Sequence, residues 1–136
     1  MPEFDTLNSR LLSIDEQHPI GLAYGKMGTC LYFFYLSRWE GKDGYRQVAK
    51  KILDEIIVDM PSHRDVSVEK GLAGIAMGLS HLVKEKFVGG DINEILDEVD
   101  SHIFKSLAFL NTVDACFPKP VLIHLLYYFC LRYADS

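Results

Sequence analysis

Tyrosine and histidine side chains recur in this chain at an interval of 46 residues. Phenol and imidazole groups donate and accept hydrogen bonds, and either can serve as a general acid or base. On neighbouring helices they would line a cleft and hydrogen-bond a peptide there. The alternative is structural, with the rings packed between helices and their polar tips reaching water or backbone carbonyls. The candidate cleft-lining residues fall in two columns of this spacing. One column holds Tyr35, His81 and Tyr127, and the other holds Tyr32 and His124 with Gly78 between them.

Other polar neighbours do not assemble a catalytic group. Ser80 and His81 are adjacent, and adjacent residues of a helix point away from each other, so they do not form a nucleophile–base dyad. Asp97, Glu98 and Asp100 lie on or near the polar side of an amphipathic segment, where carboxylates are solvated. The sequence therefore names no catalytic residue.

Glycine pairs open the apolar segments that carry these residues. Gly25 and Gly28 precede one run, the same pair returns 46 residues later, and Pro120 stands one further step along. A period of this length is typical of stacked repeats, in which no unit buries its apolar face alone. The glycines would allow close backbone approach or a positive φ at the helix starts. We predict three buried helices, near 25–38, 71–87 and 120–133. The structural glycines of the motifs are Gly21, Gly25, Gly28, Gly71, Gly74 and Gly78.

Amphipathic segments alternate with the buried ones. Apolar residues follow helical spacing over 45–56 and over 92–107, with charged residues on the opposite side. Asp91 and Glu94 are spaced as a capping box at the start of the second segment. An earlier outer helix is indicated by Leu7, Leu11 and Ile14.

Together these elements predict an all-α fold. Each unit is an antiparallel hairpin of one buried and one outer helix, repeated about every 46 residues. The chain 1–136 would form a single helical-repeat domain of about two and a half hairpins, which is a partial α/α toroid.

The composition is that of a protein with a core of its own and no charge-driven partner. The chain is 49% apolar and carries a net charge of −5 with no basic stripe, which disfavours nucleic acid. The longest apolar run, Val121–Leu131, contains His124 and is too short to span a bilayer, and the N-terminus lacks a secretory pattern. Cys30, Cys116 and Cys130 are an odd number in apolar settings, as expected for buried thiols of a reducing compartment. We expect a cytoplasmic protein without membrane or nucleic-acid partners.

Two segments resemble the glycine motifs of a known family. His18–Gly28 reads HPIGLAYGKMG and Ser67–Leu79 reads SVEKGLAGIAMGL. Both look like the motifs that open inner helices in the lanthionine synthetase C-like family, whose members resemble lantibiotic cyclases. The resemblance implies a ring of helical hairpins and a role in peptide modification and lantibiotic biosynthesis. It spans most of this chain but only the N-terminal portion of a family member.

The resemblance also implies a metal that this chain is not expected to hold. Family cyclases bind zinc through a cysteine and a later adjacent Cys-His pair, and the zinc activates a peptide cysteine thiolate that adds to a dehydrated serine or threonine. No Cys-His dipeptide occurs here, and the three cysteines match no zinc motif. His124 and Cys130 lie six residues apart, off one helix face. We therefore predict no metal ligand and no cofactor in this chain, with zinc expected only in a full-length family cyclase.

Three functional hypotheses remain. The first is a non-catalytic module that binds a peptide or serves as a scaffold in a peptide-modifying system. The second is the N-terminal fragment of a zinc-dependent, thioether-forming cyclase whose ligands lie in other residues. The third and more remote one is a fragment of an α/α-toroid glycosidase, because some of those enzymes start their inner helices similarly. The sequence does not identify the peptide substrate.

The last apolar run also predicts self-association. Val121–Leu131 has no charged side. Exposed apolar surface of that extent marks an interface, and closed twofold symmetry is the commonest arrangement. We expect a homo-oligomer through the C-terminal helix, most simply a dimer.

Overall fold

The computed structural model describes residues 2–13, 18–23, 25–112 and 119–135. Within these ranges every regular element is helical and no strand occurs, so the predicted all-α class is confirmed. None of the helices in these ranges is long and apolar enough to cross a membrane. A short 3₁₀ turn, Met60–Ser62, follows the third helix. The α-helices in chain order are α1 (Pro2–Leu12), α2 (Lys26–Glu40), α3 (Asp43–Asp59), α4 (Leu72–Lys84), α5 (Ile92–Ile95), α6 (Asp97–Thr112) and α7 (Lys119–Asp135).

The helices alternate between inner and outer positions. The inner helices are α2, α4 and α7: α4 contacts both α2 and α7. Outer helix α3 pairs with α2, and α5 and α6 pack against α4, with α6 also reaching α7. The turn between α2 and α3 is tight because Gly41 adopts φ 68°, and its N–H donates to the carbonyl of Ser37 at 2.8 Å. Helices α2 and α4 start 46 residues apart, at Lys26 and Leu72, as the repeat predicts.

Inner helices α2 and α4 bury residues on more than one side, whereas outer helix α3 buries one stripe. The prediction of a third buried helix near 120–133 is wrong in burial, because the described part of α7 buries only the stripe of Leu125, Tyr128 and Arg132. Helix α2 buries the adjacent Phe33 and Phe34, and α4 is buried almost continuously from Leu72 to Leu79. Helix α3 buries only a stripe of three residues at helical spacing, Ala49, Leu53 and Ile56. The difference follows from the sequence, since α4 is apolar nearly all round and α3 is charged on one side.

The glycines at the inner-helix starts are required by close backbone approach. The amide of Lys26 donates to the carbonyl of Pro19 at 2.7 Å, and 46 residues later the amide of Leu72 donates to the carbonyl of Asp65 at 2.8 Å. These bonds pull each preceding segment across the first helical turn. A Cβ on Gly74 would lie well inside 3.0 Å of the Val68 carbonyl oxygen, and Gly28 has the equivalent contact with the preceding loop. The backbone thus repeats at the interval that the sequence shows.

Helix α4 ends earlier than predicted. The prediction carried it to residue 87, but the helix stops at Lys84 because Lys86 takes a left-handed conformation with φ 62°. The amide of Phe87 donates to the Leu82 carbonyl at 2.9 Å, and that of Lys86 donates to the Val83 carbonyl at 3.1 Å. This pair of bonds is a Schellman motif, which closes a helix and turns the chain back.

The second outer segment is two helices instead of the one predicted. Leu96 is fully buried with φ −97° and ψ 3°, and it separates α5 from α6. The side chain of Asp91 caps α5 by accepting from the amide of Asn93 at 2.9 Å, one position earlier than a capping box requires. Of the residues assigned to the first outer helix, Leu7 and Leu11 lie in α1, and Ile14 falls outside the described residues.

Candidate functional site

Tyr35 of α2 and His81 of α4 meet across the two inner helices. The Tyr35 hydroxyl and His81 Nε2 are within hydrogen-bonding distance, and the ring centroids lie 5.7 Å apart at an interplanar angle of 34°. The histidine tautomer decides which group donates. Tyr35 is 42% exposed, and His81 is also exposed. A phenol–imidazole pair open to solvent can bind a polar ligand or relay a proton.

The turn that follows α4 packs against the Tyr35 side of this pair. Phe87 packs edge-on against the Tyr35 ring with centroids 4.9 Å apart. The guanidinium of Arg38 lies 3.6 Å from the centre of the Phe87 ring and donates to the carbonyl oxygen of Glu85 at 2.6 Å. A cation over an aromatic face is attracted by the ring's negative charge density. The turn at Lys86 therefore brings Phe87 back onto α2, where it limits the movement of Tyr35.

A cavity of about 330 Å³ opens beside His81, between the three inner helices. Its polar side chains on α4 are Ser80, His81 and Lys84. The Ser80 hydroxyl is buried and has no hydrogen-bond partner among the described residues. Buried polar groups are almost always satisfied, so an orphan hydroxyl beside a cavity is a place where a ligand atom would gain a bond. The apolar lining is Leu22, Leu31, Met77 and Leu131.

The α7 wall of this cavity is held by a partly buried polar cluster, and the prediction that Asp100 is a solvated carboxylate is wrong, because Asp100 pairs with residues of α7. Asp100 of α6 accepts from the hydroxyl of Tyr128 at 2.5 Å and from Nη2 of Arg132 at 2.8 Å. Arg132 Nη2 also donates to the side-chain oxygen of Asn93 at 3.1 Å. Burial and the bond to Asp100 raise the pKa of Tyr128, which keeps this phenol a neutral donor. The cluster joins α7 to α5 and α6.

The other candidate residues are not part of this arrangement. The Tyr32 hydroxyl donates to Asn8 of α1 at 2.6 Å, and Asn8 in turn donates to Tyr45 of α3 at 3.3 Å. Tyr32 therefore faces the first outer helices, away from the pair. His124 is half-buried and Tyr127 is 57% exposed on α7, and neither lines the cavity. Only two of the five residues in the predicted columns, Tyr35 and His81, are brought together.

The spacing of 46 residues also relates residues that line the cavity, which the tyrosine and histidine columns did not include. Leu31 and Met77 are 46 residues apart and both line the cavity. Arg38 and Lys84 share the same offset and stand near the ends of α2 and α4. The inner helices thus present an apolar row, then the Tyr35–His81 pair, then a basic row. We name this surface, formed by these six residues, the inner face.

Zinc coordination does not fit the described part of the chain. No group of three or more histidine, cysteine or acidic side chains in those residues is arranged to hold a metal. Cys30 is buried, its thiol lies 3.4 Å from the carbonyl of Ala49, and burial raises its pKa to about 12, so it stays protonated and is a poor ligand. Cys130 is exposed on α7, so the prediction of a buried thiol is wrong for this residue, and Cys116 lies outside the described residues.

A larger groove of about 800 Å³ lies between α3, α4, α5 and α6. Its floor is apolar, and its histidines are His63 and His102. The ring of His63 is already engaged by the carbonyl oxygen of Lys70 at 3.0 Å. The acidic side chains on its rim, Glu94, Asp97 and Glu98, are exposed. This outer groove lacks the orphan hydroxyl and the paired polar rings of the inner face.

Comparison with known protein families shows what the chain is similar to. The family model for lanthionine synthetase C-like proteins matches residues 16–113, which include α2 to α6. No curated protein and no solved structure matches the chain. The matched range includes both glycine motifs and both members of the Tyr35–His81 pair.

Proposed function

Because the chain belongs to the lanthionine synthetase C-like family, we propose that it binds a peptide on its inner face as a non-catalytic module of a peptide-modifying system of the lantibiotic type. The observation that carries the proposal is the exposed, hydrogen-bonded Tyr35–His81 pair beside a cavity with the unsatisfied hydroxyl of Ser80. A cytoplasmic location belongs to the same proposal. It is supported by Cys30, a buried free thiol.

An apolar peptide side chain would enter the cavity between the inner helices. Burying a side chain of leucine size there contributes about 1.5–3 kcal/mol, since Leu31, Met77 and Leu131 supply an apolar lining. The Ser80 hydroxyl would bond a polar atom of the ligand, and the Tyr35–His81 pair would bond the peptide backbone at the mouth. These contacts position a peptide, and none of them requires a metal.

Removing the Tyr35 hydroxyl should weaken peptide binding. The probe is a dansyl-labelled peptide, Ala-Ser-Leu-Cys-Ala, titrated with the purified chain and followed by fluorescence anisotropy. Tyr35→Phe should raise the Kd about threefold to tenfold, the worth of one hydrogen bond of about 0.5–1.5 kcal/mol. The matched control is Tyr45→Phe, which removes a phenol that bonds Asn8 on the far side of α2. Equal affinity of all three proteins, or a larger loss in the Tyr45 variant, would contradict the proposal.

The second candidate is the N-terminal part of a zinc-dependent, thioether-forming cyclase. It is favoured by exposed apolar side chains on α7, including Ile123 and Leu126, against which a further hairpin would pack. In that case the inner face would be one wall of a larger catalytic ring, and the zinc ligands would belong to other residues. Stoichiometric zinc in a protein that continues beyond these hairpins, and none in this chain, would separate the two candidates.

We also propose that α7 mediates a homodimer. Phe104 on α6 and Ile123, Leu126 and Tyr127 on α7 are each at least half exposed. Pairing these side chains around a twofold axis would remove them from water.

Light scattering at micromolar concentration should show a dimer that Leu126→Glu converts to a monomer, because a charge would then be buried at the axis. The control is Leu12→Glu, since Leu12 on α1 is exposed to a similar extent, 51% against 50%. This variant should remain a dimer. A monomeric wild-type chain, or a dimer that persists in the Leu126 variant, would contradict the proposed interface.

A further inference from the structure

Two adjoining grooves surround Phe87 where α4 ends. One has a volume of about 480 Å³ and the other about 290 Å³. Arg46, Lys86 and Phe87 line both of them, and Lys50 lines the larger. We name the two grooves together the basic groove. The remaining lining of the larger groove is apolar or small and consists of Val83, Val88, Gly89 and Gly90, and the smaller groove is also lined by Ser37, Arg38, Gly41 and Asp43.

Three cations of the basic groove lack partners in a chain whose net charge is −5. Among the described residues, no carboxylate lies within 4.0 Å of the charged groups of Arg46, Lys50 or Lys86. The nearest carboxylate along the chain is Asp43 for Arg46, Asp54 for Lys50 and Glu85 for Lys86. Asp43 lines the smaller groove, and Glu85 is paired with Arg38 at 3.7 Å. Three exposed cations with no described carboxylate within 4.0 Å, against one carboxylate in the lining, produce a local positive potential on a negative protein.

Lys86 occupies a position where glycine is favoured. Its φ of 62° is left-handed, and it is the only described residue other than glycine with a positive φ. The Schellman motif places a residue in this conformation, and glycine adopts it without the clash that a Cβ introduces. Residues other than glycine in sparsely populated backbone regions cluster at active sites and ligand-binding sites. Lys86 lines both grooves.

We propose that the basic groove binds an acidic segment of a polypeptide, with its carboxylates on Arg46, Lys50 and Lys86 and its apolar side chains on Val83 and Val88. The mixture of cations and apolar side chains fits a peptide of alternating acidic and apolar residues. A polynucleotide would need a longer basic stripe, and the net negative charge of the chain would repel it. Phe87 joins this groove to Tyr35, so a bound segment would lie beside the inner face. No described residue that lines the basic groove lines the proposed peptide-binding cavity, and Arg38 is the residue that the basic groove shares with the inner face.

Replacing Lys86 with glycine gives two opposite effects under this proposal. The Tm should rise by about 2–4 °C because the left-handed strain is relieved. The Kd for a fluorescein-labelled peptide of alternating glutamate and leucine should rise about threefold or more, because one cation is lost. Thermal unfolding measures the Tm, and fluorescence anisotropy at low salt measures the Kd. A rise in Tm with unchanged affinity would overturn the role of Lys86.

A triple variant tests the groove as a whole. The Kd for the glutamate–leucine peptide should rise about tenfold or more when three changes are combined, Arg46→Gln, Lys50→Gln and Lys86→Gln. The control removes the same charge elsewhere, by Arg64→Gln, Lys70→Gln and Lys105→Gln, and should change the Kd less than twofold. Equal losses of affinity in both triple variants would overturn the proposal. So would a lysine–leucine peptide that binds as tightly as the glutamate–leucine peptide, or a single-stranded oligonucleotide that binds more tightly. The probe differs from the serine- and cysteine-containing peptide above, so the two sites succeed or fail separately.

Discussion

Replacing Gly74 with alanine should lower the free energy of unfolding by about 3 kcal/mol, which is enough to unfold a marginally stable domain. The added Cβ would lie well inside 3.0 Å of the Val68 carbonyl oxygen, and backbone cannot yield as a flexible side chain does. Relief requires the segment before α4 to move away. That movement would lengthen the 2.8 Å bond from the amide of Leu72 to Asp65. Urea unfolding followed by circular dichroism measures the loss.

Gly44→Ala is the matched control for this prediction. Gly44 lies in the first turn of α3, and a Cβ there would meet nothing within 4 Å. Alanine is favoured over glycine in a helix, so this change should stabilise the chain by up to about 1 kcal/mol. If Gly74→Ala unfolds at the same urea concentration as the wild type, then close approach is not what requires glycine at the inner-helix starts.

Removing the charge of Asp100 should be comparably harmful. Asp100→Leu leaves Arg132, which is 8% exposed, without this counter-charge. Breaking a fully buried ion pair costs about 3–5 kcal/mol, and because the Asp100 side chain is 26% exposed we expect a loss at or below about 3 kcal/mol. Tyr128 would lose its acceptor at the same time. We expect α7 to separate from α6, with a lower midpoint in urea and a less cooperative transition.

The double variant Asp100→Leu with Arg132→Leu should recover much of that loss, because an apolar pair avoids burying an unpaired charge. Glu85→Gln serves as a surface control. It breaks the exposed Arg38–Glu85 pair, in which both side chains are more than 40% exposed, and it should cost less than about 1 kcal/mol. A double variant as unstable as the single one would show that the cluster is held by something other than its charges.

Repeat spacing made the inner helices predictable. Glycines and apolar residues 46 positions apart placed α2 and α4 within a few residues of their observed bounds, because the same close approach recurs in the backbone of both. The contact of Tyr35 with His81 follows from the same register, since equivalent residues of adjacent repeats lie side by side.

Other features depend on contacts that no local pattern records. Lys86 adopts a conformation that its residue type disfavours, so sequence preference extended α4 too far. The break between α5 and α6 is at Leu96, which is fully buried, and no residue type in the segment marks it. Tyr32 was assigned to the cleft because it shares a column with His124, but its hydroxyl is taken by Asn8, 24 residues earlier in the chain. Asp100 and Arg132 lie 32 residues apart and meet only through the packing of α6 on α7.

Histidine-selective nuclear magnetic resonance tests the inner-face proposal most directly. The chain has five histidines, and ¹⁵N-labelled imidazole signals report each ring separately. On adding the Ala-Ser-Leu-Cys-Ala peptide, the signals of His81 should shift in a saturable manner. Those of His63 and His102, which line the outer groove, should stay in place. Saturable shifts at His63 or His102 with His81 unmoved would place the peptide in the outer groove and contradict the inner face as its site.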